Sequence, residues 1–192
     1  MNADTRLATL ARAARALNAA RVSWAVGASA LLYLRGVTDT FHDFDLQLAQ
    51  GEAQAADESL LSLGAQAAPP LPPSPAYATQ HFAEYQLDGV DFDLLCGFAV
   101  RRGGMVYPCP FDSSGVAGTL SVLGTRVPLA ALEDWFVIYL LMPGRAAKAD
   151  LIARHLKAHP ATAQRGRLSA WLNRRLPGEV RERVMALYRA LP

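Results

Sequence analysis

The chain has 192 residues, 52% of them hydrophobic and 19% charged, with a formal net charge of +2. That length suits one domain, or a domain with a short appendage, around a sizeable core, and the composition excludes a disordered chain. The net charge is too small to dictate a partner, although the stretch after Arg145 is strongly basic and the first hundred residues are not. Cys96 and Cys109 make no disulfide framework, and no Cys or His spacing suits zinc, so both are expected to be reduced thiols of a soluble cytoplasmic protein. The longest dense apolar stretch, Trp135 to Met142, is too short to cross a bilayer, so no membrane partner is expected. The Ala- and Arg-rich start leads directly into the first strand and reads as part of the fold, not as a transit peptide.

Leu7, Leu10, Ala14 and Leu17 recur at helical spacing and predict an amphipathic helix over 4–20. A short strand follows at 22–26, ended by Gly27, and a helix from Ala28 to Leu34 is stopped by Gly36. In the next run Phe44, Leu46 and Leu48 fall on one face while Asp43, Asp45 and Gln47 fall on the other, the period of a half-buried strand. A helix is expected over 51–63, then an extended proline-rich loop through Pro75, more plausible as plain surface than as a PxxP ligand.

Phe82–Leu87 and Val90–Cys96 read as two strands joined by Asp88-Gly89, a two-residue hairpin signal. Residues 101–119 carry glycines and prolines without a period and are expected to be mostly loop. A small hairpin is expected at 122–127, and from Leu132 onward the pattern is helical, with breaks at Pro143-Gly144, Pro160 and Pro177-Gly178. No internal repeat is present. The expected organisation is a core over 1–128 and a helical tail over 129–192 that packs on it.

Aspartate is depleted in strands, so Asp43 and Asp45 at i and i+2 on one polar face call for a reason. Alone they would repel and one would take up a proton; a hard divalent cation removes the conflict. The second hairpin strand repeats the device, with Asp91 and Asp93 on its polar face. Asp93 lies mid-strand and is preferred as a third carboxylate over Asp91, which is near the turn. The plain alternative is two sheet faces that simply meet water. Gly27-Ala28-Ser29 lies where a strand feeds a helix, a natural anion cradle of backbone N–H groups and a hydroxyl, or equally an N-cap with tight packing.

Val26-Gly27-Ala28-Ser29-Ala30-Leu31-Leu32, followed by Asp43-Phe44-Asp45-Leu46 and then Val90-Asp91-Phe92-Asp93-Leu94, resembles the signature of the DNA polymerase β-like nucleotidyltransferase superfamily. Val127-Pro128-Leu129, Leu132-Glu133-Asp134, and Gly144-Arg145 with Lys148 are similar to small bacterial members. The chain departs from the usual pattern at Ala28, at His42 where Ser or Thr commonly precedes the acidic pair, and at Ala149. The resemblance implies an α/β (α+β) nucleotidyltransferase fold, a small mixed sheet flanked by helices with a C-terminal helical tail. It also implies transfer of a nucleoside monophosphate from an NTP, with ATP expected, to an acceptor hydroxyl, with release of pyrophosphate. Asp43 and Asp45 would hold two Mg²⁺ (or Mn²⁺) ions, and Asp93 would complete the second site and help deprotonate the acceptor. Gly27, Ala28 and Ser29 would bind the β/γ-phosphates, and Lys148 would reach them as a point charge or be only an exposed helix lysine. The acceptor, whether small molecule, protein or RNA, is not legible.

Two rival readings compete with this one. Gly27-x-Ser29 imitates a nucleophile elbow, but Leu31 stands where that turn needs glycine. A catalytically inactive nucleotide- or nucleic-acid-binding protein of the same fold could use Arg154, Lys157, Arg165, Arg167, Arg174, Arg175, Arg181, Arg183 and Arg189. The competing account is that these cations solvate the outside of a tail whose Leu151, Ile152, Leu168, Leu172 and Val184 pack inward; it is preferred.

Overall fold

A computed structural model describes residues 2–192. Helix α1 (Ala3–Ala19) begins at Asn2, whose side chain accepts the Thr5 amide, and buries Leu10, Ala14 and Leu17. Strand β1 (Trp24–Val26) feeds α2 (Ala28–Leu34), after which come β2 (Phe44–Leu48), α3 (Ala53–Ser62) and a two-residue edge strand β3 (Gln66–Ala67). The hairpin β4 (His81–Leu87) and β5 (Val90–Cys96) turns at Asp88-Gly89, both at positive φ, as a two-residue turn demands.

Residues 101–119 are not mostly loop. Strands β6 (Ala99–Arg102) and β7 (Met105–Pro108) form a separate two-stranded sheet turning on Gly103-Gly104. β8 (Val116–Val122) pairs with β9 (Thr125–Ala130), a longer hairpin than the one expected at 122–127. The main sheet has seven strands in the order β3-β4-β5-β2-β1-β9-β8, with β2/β5 and β1/β9 parallel and the rest antiparallel.

The alternation of β2 sets the two faces. Phe44, Leu46 and Leu48 are buried, and Phe44 stacks near Phe41 and Phe92 on the side where Asp57 of α3 meets His81 and Tyr85. The opposite face is covered by α4 (Leu132–Leu141), in which every residue but Asp134 is buried, so it is a core helix, apolar but for Glu133 and Asp134 in its first turn. The chain ends with α5 (Ala146–Ala158), α6 (Arg165–Leu172) and α7 (Gly178–Ala190), which bury Ile152, Leu168 and Val184 in the same apolar core as the sheet. Among the described residues no helix is long and apolar enough to cross a membrane.

Candidate active site

In a parallel pair, residues in register point to the same face. Asp45 of β2 is the register partner of Asp93 of β5, and Asp93 is in turn opposite Glu84 of β4, which brings three carboxylates onto one strip of sheet. Asp43 stands just before β2 and accepts a hydrogen bond from the Ser29 hydroxyl at 3.3 Å. Asp91 is two residues nearer the turn, exposed, and accepts from Gln86 at 3.1 Å. The sequence-derived set Asp43, Asp45, Asp93 and Ser29 therefore shares one region, with Lys148 near enough for its charge to act on Asp45.

The electrostatics are those of crowded acids. Burial, then the charges of Asp43 and Asp93, push the Asp45 carboxyl up to about 8. Burial, then Asp43, Glu84 and Asp91, push Asp93 up to about 7. Lys148 is held below its ordinary value, by burial first and by Arg145 second, against the pull of Asp45 and Asp43. Its Nζ stands 5.3 Å from the centre of the Tyr139 ring. Among the described residues no group of three or more His, Cys, Asp or Glu side chains is arranged closely enough to hold a metal ion. Asp43 and Asp93, though not Asp45, line an open groove of about 470 Å³ together with His42, Glu84, Gln86 and Asp91.

The turn before α2 commits one amide of the expected cradle to the sheet. The Gly27 amide is committed to the Asp45 carbonyl at 2.8 Å, which ties the turn to β2, and the Gly27 carbonyl accepts from Leu31 at 2.9 Å. A Cβ at Gly27 would meet the Trp135 indole at 2.3 Å, so glycine is required by the neighbouring ring. Ala28 has φ +42, the left-handed region that a Cβ makes unfavourable by about 1–2 kcal/mol. The amides of Ala28 and Ser29 precede the first intrahelical bond, as at any helix start.

Residues beyond the sequence reading also shape the site. Gln47, assigned above to a polar face, is 3% exposed and accepts the Trp135 indole N–H at 3.0 Å. Glu84 could have been found, because a two-residue turn at 88–89 fixes its pairing with Asp93. Trp135 and Tyr139 carried no local signal; they reach the site from a helix distant in sequence. The basic tail is largely engaged in holding itself together. Arg167 pairs with Asp134 at 2.8 Å and Arg183 with Asp150 at 2.5 Å, while Arg181 donates to the carbonyls of Leu172 and Arg174. Arg165 lies over Tyr188 and Arg174 over Trp171.

No protein-family model matches the chain, and no curated relative does. Solved structures do. A candidate nucleotidyltransferase from Thermotoga maritima aligns with a TM-score of 0.61 at 23% identity, over 82% of this chain and 96% of that one. The antibiotic-resistance factor ANT(2'')-Ia in solution aligns with a TM-score of 0.56 at 12% identity, over 97% of this chain and 92% of its own. The crystal structure of ANT(2'')-Ia with adenylyl-2''-tobramycin gives the same score and identity, over 97% and 98%. This chain has the nucleotidyltransferase fold. At these identities the likeness establishes architecture, and chemistry must be argued from the site itself.

Proposed function

We propose that the protein transfers a nucleoside monophosphate from an NTP, expected to be ATP, to a hydroxyl of an acceptor. The observation that carries this reading is the in-register pairing of Asp45 with Asp93, with Asp43 held beside them by Ser29. Buried carboxyls crowded this closely raise one another's proton affinity, a conflict that a bound cation would relieve, and oxygen donors of this kind suit Mg²⁺ or Mn²⁺. Asp43 and Asp45 would hold two such ions, and Asp93 would complete the second site. When bound there, the ions supply neutralisation of phosphate charge and activation of the attacking oxygen.

This chain's own residues do the rest. The amides of Ala28 and Ser29 face the phosphates from the turn that Gly27 makes possible, and Lys148 approaches from α5 as a point charge. Asp93, in register with Asp45 and lining the groove, is the carboxylate placed to accept the acceptor's proton. The acceptor oxygen bonds to the α-phosphorus, the bond from that phosphorus to the bridging oxygen breaks, and pyrophosphate leaves. The groove beside Asp93 is where the acceptor, a small molecule, protein or RNA, would approach, and the reaction belongs in the cytoplasm, where NTP is abundant.

The test is label transfer. Each α-labelled NTP is incubated with Mg²⁺, the protein, and separate pools of small molecules, proteins and RNA. Label is expected in one pool with wild type and in none with Asp45→Asn. Absence of label from every NTP and pool with wild type overturns the proposal.

A further inference from the structure

His155 and His159 are four residues apart, in the last turn of α5 and at its C-cap, and the site described above uses neither. The zinc spacings of a four-ligand site are absent from the sequence, but a helix puts positions i and i+4 on one face. Two histidines so placed can grip a single metal ion. The imidazole ring centres are 4.4 Å apart, with planes inclined by 31°. Two rings sharing an ion at about 2.1 Å from each nitrogen must have centres within roughly 6 Å, so the backbone already delivers the pair.

His159 is held in place without any ion. Its amide donates to the His155 carbonyl at 3.0 Å, and its own carbonyl accepts the Thr162 amide at 3.1 Å and hydroxyl at 2.9 Å. Its ring Nδ1 also lies 3.0 Å from the His155 carbonyl. A carbonyl only accepts, so Nδ1 carries the hydrogen and Nε2 keeps its lone pair. Metal-ligating histidines are oriented in this way, by the bond that the other nitrogen makes. The His155 ring makes no hydrogen bond among the described residues, and its χ2 is a soft torsion that can turn a nitrogen toward the same point. His155 is half-buried and His159 exposed, so water reaches the remaining coordination positions.

We propose that His155 and His159 form a second metal site, independent of the carboxylates, for a late first-row dication such as Ni²⁺, Cu²⁺ or Zn²⁺. Imidazole nitrogen suits these ions, whereas Mg²⁺ prefers oxygen. The charge that acts on His155 from outside the pair is that of Arg35, on which Glu133 acts in turn. The ion is therefore held by nitrogen ligation and not by a pool of negative charge. An ion on both rings cross-links the last turn of α5 to its C-cap, where the helix carbonyls run out of amide partners.

The experiment is a Ni²⁺ titration by calorimetry in excess Mg²⁺, which keeps the acidic groove supplied with a hard cation. Wild type and Asp45→Asn are each expected to bind one Ni²⁺ with equal affinity. His159→Ala, at an exposed position, is expected to fold normally and to bind at least tenfold more weakly, and His155→Ala likewise. Wild type should melt roughly 5–10 °C higher when Ni²⁺ is in hundredfold excess over Kd, and His159→Ala should lose that rise. Cu²⁺ in place of Ni²⁺ adds a signature that ring stacking alone does not give. Its electron spin resonance should show coupling to two imidazole nitrogens in wild type and to one in His159→Ala. Absence of Ni²⁺ binding by wild type overturns the proposal. Equal binding by wild type and both histidine variants also overturns it, because the ion then lies elsewhere. Loss of binding in Asp45→Asn with retention in the histidine variants assigns the ion to the carboxylates and overturns it too. If the half-buried His155→Ala fails to fold, His159→Ala decides.

Discussion

The indole of Trp135 donates to Gln47 at 3.0 Å while its six-membered ring occupies the space that a side chain on Gly27 would need. One residue of α4 thus fixes both the strand that carries Asp45 and the turn that carries Ser29. Position 27 is glycine for packing reasons before any ligand is considered.

Gly27→Ala should therefore destabilise the protein by about 2–3 kcal/mol, the cost of overpacking a rigid core contact. Urea unfolding checks the loss. A smaller ring in the background of Trp135→Phe should recover part of it, since a double mutant exposes coupling between touching residues. Additive losses in that cycle would mean the two residues do not press on one another.

The raised acids make a prediction about pH. Asp45 has an ordinary value of 3.8 and is pushed to about 8, and Asp93 is pushed from 3.8 to about 7. An acid that binds its proton more tightly in the folded state adds stability fully present below about 4, and loses it as pH rises through the shifted range. Metal-free wild type should grow less stable between pH 4 and 8, with Asp93 spent by about 7 and Asp45 by about 8. Asp45→Asn should flatten the curve and raise the melting temperature at pH 8 by roughly 5 °C, the size expected for 1–2 kcal/mol in a chain of this length. Melting across pH in a chelator settles the sign.

Ligand should reverse that weakness. A metal–NTP complex that binds only the folded site stabilises by mass action, about 2.7 kcal/mol at a hundredfold excess over Kd. Wild type should show this rise with Mg²⁺ or Mn²⁺ plus ATP, and lose it on chelation. Asp45→Asn and Asp93→Asn should show almost none, whereas Asp91→Asn, near the turn and paired with Gln86, should keep most of it. A rise that survives in Asp45→Asn would separate nucleotide binding from these carboxylates.

What could be read from the sequence divides along physical range. The faces of β2 and β5 were legible because a strand alternates every residue, and the Asp88-Gly89 turn fixed their hairpin. β6 and β7 escaped because each is four residues long and their Gly103-Gly104 turn reads as loop composition, although both glycines lie at the positive φ of a tight hairpin. The clustering of Asp45 with Asp93 needed a strand order, β5-β2, that local pattern does not encode. The burial of Gln47 and the approach of Tyr139 depend on where α4 crosses the sheet, and nothing within either segment announces that crossing.

The tail supplies the last prediction. Arg167 gives its guanidinium to Asp134 at 2.8 Å and also donates to the Ser114 carbonyl, while Trp171 donates to the other Asp134 oxygen at 2.9 Å. The Arg167 and Asp134 side chains are only 19% and 22% exposed, so this pair is closer to a buried bridge than to a surface one. Burial pushes the Asp134 carboxyl up, and the bonds from Trp171 and Arg167 hold it down against that push. Removing Arg167 leaves a half-buried carboxylate with one donor and should cost about 2–3 kcal/mol, below the 3–5 of a fully buried pair. Arg167→Met measured by urea unfolding checks the cost. If the basic helices instead existed to grip nucleic acid, the same substitution would weaken RNA binding at low salt and reduce its salt slope by about one. The expected outcome is the stability loss with no salt-dependent RNA binding in either protein, since an arginine held in an ion pair releases few counterions on contact with a polyanion.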